Sequence, residues 1–146
     1  MPFTENLPRD DRQGEQSGRV VVVCGDLFFG TQLTGVVRDA GFEPVPELSL
    51  ARAQGHFGDS SVIGVVIDLE TPGLDIAALM SGLPAVDKPR VVAFGPHVHE
   101  RLLNAARDAG CDAVLTRGQI TASPSNLRKA LTELPEPPEQ TESPSA

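Results

Sequence analysis

No apolar run in this 146-residue chain approaches the roughly twenty residues that a membrane-spanning helix needs. The first residues carry no apolar stretch of the kind found in a secretory signal. Basic residues are in deficit: 12 Lys and Arg stand against 20 Asp and Glu, a formal net charge of −8. That balance argues against a general affinity for DNA, RNA or anionic membranes, which call for a basic surface. A cytoplasmic protein with neither a nucleic-acid nor a membrane partner is expected. Catalytic signatures are also missing. There is no Gly-x-Gly-x-x-Gly after the first apolar run, no Walker loop and no Gly-x-Ser-x-Gly elbow. Nucleotide binding and serine hydrolysis therefore have no support, no catalytic residue is assigned, and the chain is read as not an enzyme. Cysteine is scarce: Cys24 and Cys111 are the two in the chain, with no Cys-x-x-Cys.

What is present is an apolar share of 40%, enough for one core. Its distribution divides the chain. Residues 1–18 are polar, without apolar period, and read as a flexible arm. Residues 135–146 are acidic and proline-rich and read as a disordered tail. Between them, residues 19–134 form the folded domain. Short continuous apolar runs, as in Arg19 to Cys24 and Val62 to Ile67, suit strands covered on both faces. Three further strands are expected at Phe42 to Pro46, Arg90 to Phe94 and Ala113 to Leu115. Helices are expected between them: one carrying Leu33, Val36, Val37 and Ala40 and stopped by Gly41, a short one over Leu50 to Phe57, and one marked by Ile76, Met80 and Leu83. A fourth runs from about Val98 to Ala109, stopped by Gly110. A last one opens at Ser123-Pro124, a cap followed by proline, and carries Leu127, Ala130, Leu131 and Leu134. Five strands alternating with five helices predict an α/β fold, a parallel sheet with helices on both faces. Cys24 and Cys111 then fall at opposite ends of the sheet, out of disulfide reach, and buried free thiols are expected.

Such sheets place function beyond the carboxyl ends of their strands. Those places hold Cys24-Gly25-Asp26, Asp68, Gly95-Pro96-His97 and Thr116-Arg117. Asp68 closes an apolar strand and is followed four residues later by Pro72; Gly41-Phe42, Asp75 and Gly110-Cys-Asp stand at matching intervals. In this order and spacing the chain, from roughly Arg19 to Leu134, resembles the receiver domain of bacterial two-component response regulators. The resemblance implies a flavodoxin-like, doubly wound five-stranded sheet of order 2-1-3-4-5, and it makes Asp68 the equivalent of the phospho-acceptor. It also exposes departures. Where the family has two acidic residues holding magnesium, this chain has Cys24 and Gly25, with Asp26 one position late. Magnesium requires hard oxygen ligands, so Asp26 and Asp68 are its only candidates, and no cofactor is expected otherwise. Gly95 stands where a Ser or Thr hydroxyl is expected, Arg117-Gly118 where the family has Lys-Pro, and Val114 where an aromatic switch residue sits. Arginine keeps the charge and can pair with Asp68.

The leading expectation is a degenerate receiver, a stand-alone signalling or protein-interaction module not regulated by aspartate phosphorylation. Two rivals stay open. One is a true response regulator phosphorylated on Asp68; the other is a small-ligand or metal module in the same crevice, using His97 and His99 with Cys24, Asp26 and Asp68. The partner expected is another protein, with a homodimer also open. Family resemblance points to a face holding Arg101, Asn104, Arg107, Asp108, Arg128 and Lys129. Phe28 and Phe29 are expected to pack over the strand ends, or, where exposed, to form a docking patch. Asp75 is expected to cap a helix, His56 to lie at the surface, and Asp59, Ser60 and Ser61 to form a polar turn.

Overall fold

A computed structural model describes residues 18–86 and 88–132 of the chain. The tail over 135–146, and the arm apart from Gly18, lie outside the described residues. Five parallel strands form one sheet of order β2-β1-β3-β4-β5: β1 (Arg19–Val23), β2 (Glu43–Glu47), β3 (Val62–Asp68), β4 (Arg90–Gly95) and β5 (Ala113–Thr116). The helices are α1 (Leu27–Asp39), α2 (Leu50–Ala53, extended by a 3-10 turn over Gln54–His56), α3 (Ile76–Ser81), α4 (Glu100–Ala109), α5 (Arg117–Ala122) and α6 (Pro124–Thr132).

The valine runs explain the layering. In a strand, successive side chains point to opposite faces. Val20 and Val22 of β1 meet Leu33 and Val37 of α1 and Leu127 and Leu131 of α6, with Val66, Val92, Phe94 and Ile120 in the same cluster. Val21 and Val23 face the other way, toward Ala53, Phe57 and Leu79. Leu69 and Ala93 extend that second layer to Leu103 and Ala106 of α4. A strand apolar at every position is thus the direct consequence of cover on both sides. Each buried Val or Leu contributes about 1.5–3 kcal/mol of transfer free energy.

The helix ends follow the chemistry expected of them. Asp75 accepts from the Ala78 N–H at 3.0 Å and so caps α3. Gly110 ends α4 with φ +98°, and Gly41 follows α1 with φ +101°, left-handed conformations that favour glycine. Ser123 receives the Ser125 N–H at 3.1 Å at the start of α6. α4 opens two residues later than its apolar pattern implied, at Glu100. Helix α5 was not expected. Thr116 and Gln119 build a reciprocal capping box around its first turn, and the Thr-x-x-Gln spacing that makes it is legible in the sequence.

β2 is an edge strand, and its two prolines protect that edge. The Glu43 N–H donates to the Gly18 C=O, and the Glu47 C=O accepts from the Cys24 N–H. Odd-numbered residues of β2 therefore face β1. Pro44 and Pro46 point to the open side, where they offer no N–H to an incoming strand. Addition of a further strand at β2 is excluded on that ground.

At the end of β2, Glu47 is held at 2.7 Å from His56 Nε2 and 3.3 Å from Arg52 Nε. The His56 contact, then that of Arg52, keeps its carboxyl below the usual carboxylate range against the opposing effect of burial. A lowered folded value means that the pairing stabilises above the ordinary Glu range and is lost as pH falls through the lowered value. In His56→Gln the Glu47 titration midpoint, followed by carboxyl-carbon NMR, is expected to rise; an unchanged midpoint would assign the lowering elsewhere.

Candidate functional site

The strand order reverses between β1 and β3, and the crevice beyond their carboxyl ends is where residues from both halves converge. Val23 pairs with Ile67, and Asp68 pairs with Phe94. This register brings Cys24, at the exit of β1, beside Asp68, the last residue of β3. Asp68 is 2% exposed. Its Oδ1 accepts the Glu70 N–H at 2.9 Å. Its Oδ2 receives the Cys24 thiol at 3.3 Å and lies 3.5 Å from Arg117 Nη2. A buried carboxylate is costly unless hydrogen-bonded and paired, and here each oxygen has a partner.

Arg117 comes from the first residue of α5, immediately after β5. Its guanidinium lies 4.3 Å from the centre of the Phe29 ring, and Phe29 in turn packs on Phe94 with 5.4 Å between ring centres. The same Nη2 reaches Glu70 Oε1 at 3.3 Å. Glu70 Oε2 lies 3.3 Å from His99 Nδ1. Asp68, Arg117, Glu70 and His99 thus form one chain of contacts across three loops. Asp68 and Arg117 were singled out from the sequence; Glu70 was not, since its partners are 29 and 47 positions away. Phe28 and Phe29 part company: Phe29 underlies Arg117, whereas Phe28 is 90% exposed.

The residues that would have to hold magnesium do not suit it. Cys24 is a soft donor, and burial above all, with its bond to Asp68 and the neighbouring Asp68 and Asp26 charges, pushes its thiol up to about 11 against a lowering contribution from the Asp26 backbone. It stays a neutral hydrogen-bond donor near neutral pH. Gly25 cannot be exchanged for an acid without movement, because a Cβ there would lie 2.7 Å from Pro72 Cδ. Asp26 is exposed and committed to its own helix, accepting the Phe29 N–H at 3.2 Å as the cap of α1. No group of three or more His, Cys, Asp or Glu among the described residues is arranged to hold a metal ion. Gly95 differs from Gly25. A Cβ at Gly95 would meet Leu103 and Leu69 at an ordinary 3.7 Å, so a serine fits there. Val114 is half-buried against the Leu69 and Ala93 cluster.

The other candidates are placed as follows. His97 is exposed, and His99 is tied to Glu70 rather than to Cys24. Both cysteines are free; Cys111 Sγ lies 4.0 Å from Met80 Sδ. Asp59 accepts from the Ser61 N–H and hydroxyl and pairs with Arg19 at 3.0 Å, which ties down the turn before β3. The basic set suggested for docking divides. Arg107 donates to Asn104 along α4, whereas Arg128 reaches across to the Ala40 C=O at the end of α1, on the opposite layer.

No family model matches the sequence, and no curated protein matches it. Solved structures do. A response-regulator receiver domain from Bermanella marisrubri superposes with a TM-score of 0.69 at 17% identity, over 81% of this chain and 100% of that one. The chain has the receiver-domain fold. The chemotaxis response regulator CheY4 of Vibrio cholerae matches with a TM-score of 0.63 at 13% identity, over 80% of this chain and 97% of its own. A response regulator of Burkholderia pseudomallei, solved with a phosphorylated aspartic acid, a calcium ion and citrate, matches with a TM-score of 0.64 at 16% identity, over 88% and 72% of the two chains. In this fold Asp68 closes β3 and Arg117 follows β5, 3.5 Å apart at the carboxyl ends of the strands. No helix among the described residues is long and apolar enough to cross a membrane.

Proposed function

We propose that this chain is a receiver-fold signalling module that acts by binding another protein and does not use phosphorylation of Asp68. The observation that carries the reading is the Arg117 guanidinium at 3.5 Å from Asp68 Oδ2, in contact with the Phe29 ring and Glu70. Phosphoryl transfer to a carboxylate depends on neutralising charge and on positioning, chiefly by a metal ion. Here the charge of Asp68 is met by a tethered cation that cannot leave. The donor set around it, a neutral thiol and a glycine pressed by Pro72, does not suit a hard metal ion. An incoming phosphoryl group would meet Asp68 and Glu70 with a single guanidinium between them. The aspartate then serves as the anchor of a permanently latched strand-end network, and the surface around it is held in one arrangement.

The test is thermal unfolding with and without magnesium plus beryllofluoride, which together imitate a phosphorylated aspartate. No shift in midpoint is expected at millimolar magnesium. A ligand that binds only the native state at a hundred times its Kd adds about 2.7 kcal/mol, so real binding would show as a rise of several degrees. Such a rise, absent in Asp68→Ala, would restore a phosphorylation-dependent response regulator and overturn the proposal.

A further inference from the structure

Asp26, Leu27 and Phe28 lead from the exit of β1 into α1, and Leu48 follows Glu47 at the end of β2. The Cys24 N–H donates to the Glu47 C=O at 3.1 Å, which ties the two loops together. On this surface Phe28 is 90% exposed, Leu27 59% and Leu48 53%. Together they present on the order of 400 Å² of apolar surface, the size at which a patch marks an interaction site. Leu27 and Leu48 also wall a cleft that Cys24 lines, so the patch continues the Asp68 site and is not separate from it. Its backbone is pinned. Asp26 caps α1 through the Phe29 N–H, and the Phe29 ring touches both Phe94 and Arg117. Ser49, next to Leu48, caps α2 through the Arg52 N–H at 3.3 Å.

We propose that this patch receives a basic amphipathic segment of another protein, with apolar side chains packed around Phe28 and a Lys or Arg on Asp26. The inference rests on the reading above, in which the chain acts by binding a partner, and it names the chemistry of that partner. Charge selects a basic one. A carboxylate precedes each exposed apolar stretch, Asp26 before Leu27-Phe28 and Glu47 before Leu48. Glu47 is already matched by His56 and Arg52. Asp26 is exposed and takes part in no ion pair among the described residues. Arg117, the cation of the adjoining site, is taken up by Asp68, Glu70 and the Phe29 ring. Area and charge both disfavour a second copy of this chain. Two such patches face to face would bury roughly 800 Å², below the roughly 1,000 Å² that a specific interface needs, and would bring one Asp26 toward the other. The same carboxylate opposes an anionic lipid surface. A different protein reaches past the patch and buries more. Phe28 suits the role of anchor, because a large aromatic side chain on a fixed backbone loses little freedom on binding.

The test uses the full chain and two synthetic amphipathic helices of equal length as probes, one of leucine and lysine, the other of leucine and glutamate. Amide NMR is expected to show shifts confined to Leu27, Phe28, Leu48 and their neighbours with the lysine helix, and none with the glutamate helix. Phe28→Ser is expected to weaken binding about tenfold or more; the side chain is 90% exposed, so its loss leaves the fold intact. Asp26→Asn keeps the α1 cap, since asparagine caps as well as aspartate. It is expected to weaken binding severalfold at low salt and to match the wild type at about 1 M salt, where the screening length is about 3 Å. Shifts spread over the whole surface, equal binding of the two helices, or binding unaffected by Phe28→Ser would overturn the proposal. So would concentration-dependent dimerisation in sedimentation that Phe28→Ser abolishes, which would make a second copy the occupant. The titration is repeated with magnesium and beryllofluoride. Lysine-helix binding at the patch that responds to this mimic upholds the surface and overturns the phosphorylation-independent reading. No binding in either condition, with no shift in unfolding midpoint, overturns the surface and leaves that reading in place.

Discussion

Arg117→Met is expected to destabilise the protein by about 3 kcal/mol, measured by urea unfolding. Removing one partner of a buried ion pair costs about 3–5 kcal/mol, because the other charge is left without compensation. Asp68 is 2% exposed while the Arg117 side chain is 34% exposed. Water reaching the arginine side puts the expected cost at the low end. The cost comes from Asp68, so neutralising it should recover most of the loss. In Arg117→Met, a further Asp68→Asn keeps the acceptor for the Glu70 N–H and removes the unpaired charge. A double-mutant cycle on the pair is expected to give a coupling of about 2 kcal/mol, within the range for residues in one network. Arg117→Lys keeps a positive charge but loses the planar contact with Phe29 and the fork toward Glu70, and should fall between wild type and methionine. Strict additivity of Arg117→Met and Asp68→Asn would sink the idea that the two form a latch.

The sheet was legible because its physics is local. Five short apolar runs separated by helical stripes demand two covered faces, and Val20 to Val23 satisfy both layers residue by residue. Caps were equally plain: Asp75 and Ser123 precede their helices and do what short polar side chains do there. The ends of the strands named the crevice and, within it, Asp68 and Arg117. What escaped the sequence was what depends on distance in space. Glu70 joins the site because the cap of α4 brings His99 to it and the first residue of α5 brings Arg117, which no spacing announces. The two adjacent phenylalanines, identical as text, take opposite roles because α1 turns one inward over Phe94 and the other to solvent. Gly25 read as a missing acid; only the approach of Pro72 makes it a position that an acid cannot fill in place. Helix α5 was missed for another reason. Its signal is the Thr116-x-x-Gln119 capping box, a four-residue pattern with no apolar stripe long enough to announce a helix of six residues.

Phe94→Ala should cost about 3–5 kcal/mol, the range for truncating a fully buried aromatic residue. Phe94 is fully buried in the centre of the sheet, where Asp68 is its cross-strand neighbour. The site should feel the loss as well as the core. Phe94 supports Phe29, and Phe29 lies under the Arg117 guanidinium, so the cavity opens directly beneath the latch. A ring that can sink into that space no longer fixes the arginine above Asp68. In the Phe94→Ala background the additional cost of Arg117→Met should therefore shrink, since part of the pairing is already lost. Phe94→Leu, which keeps most of the volume, should cost under about 1.5 kcal/mol and leave the Arg117 effect close to its full size. If Arg117→Met costs the same in wild type and in Phe94→Ala, the aromatic stack is packing alone. The positioning of Arg117 would then rest on Glu70 and on the capping box at Thr116.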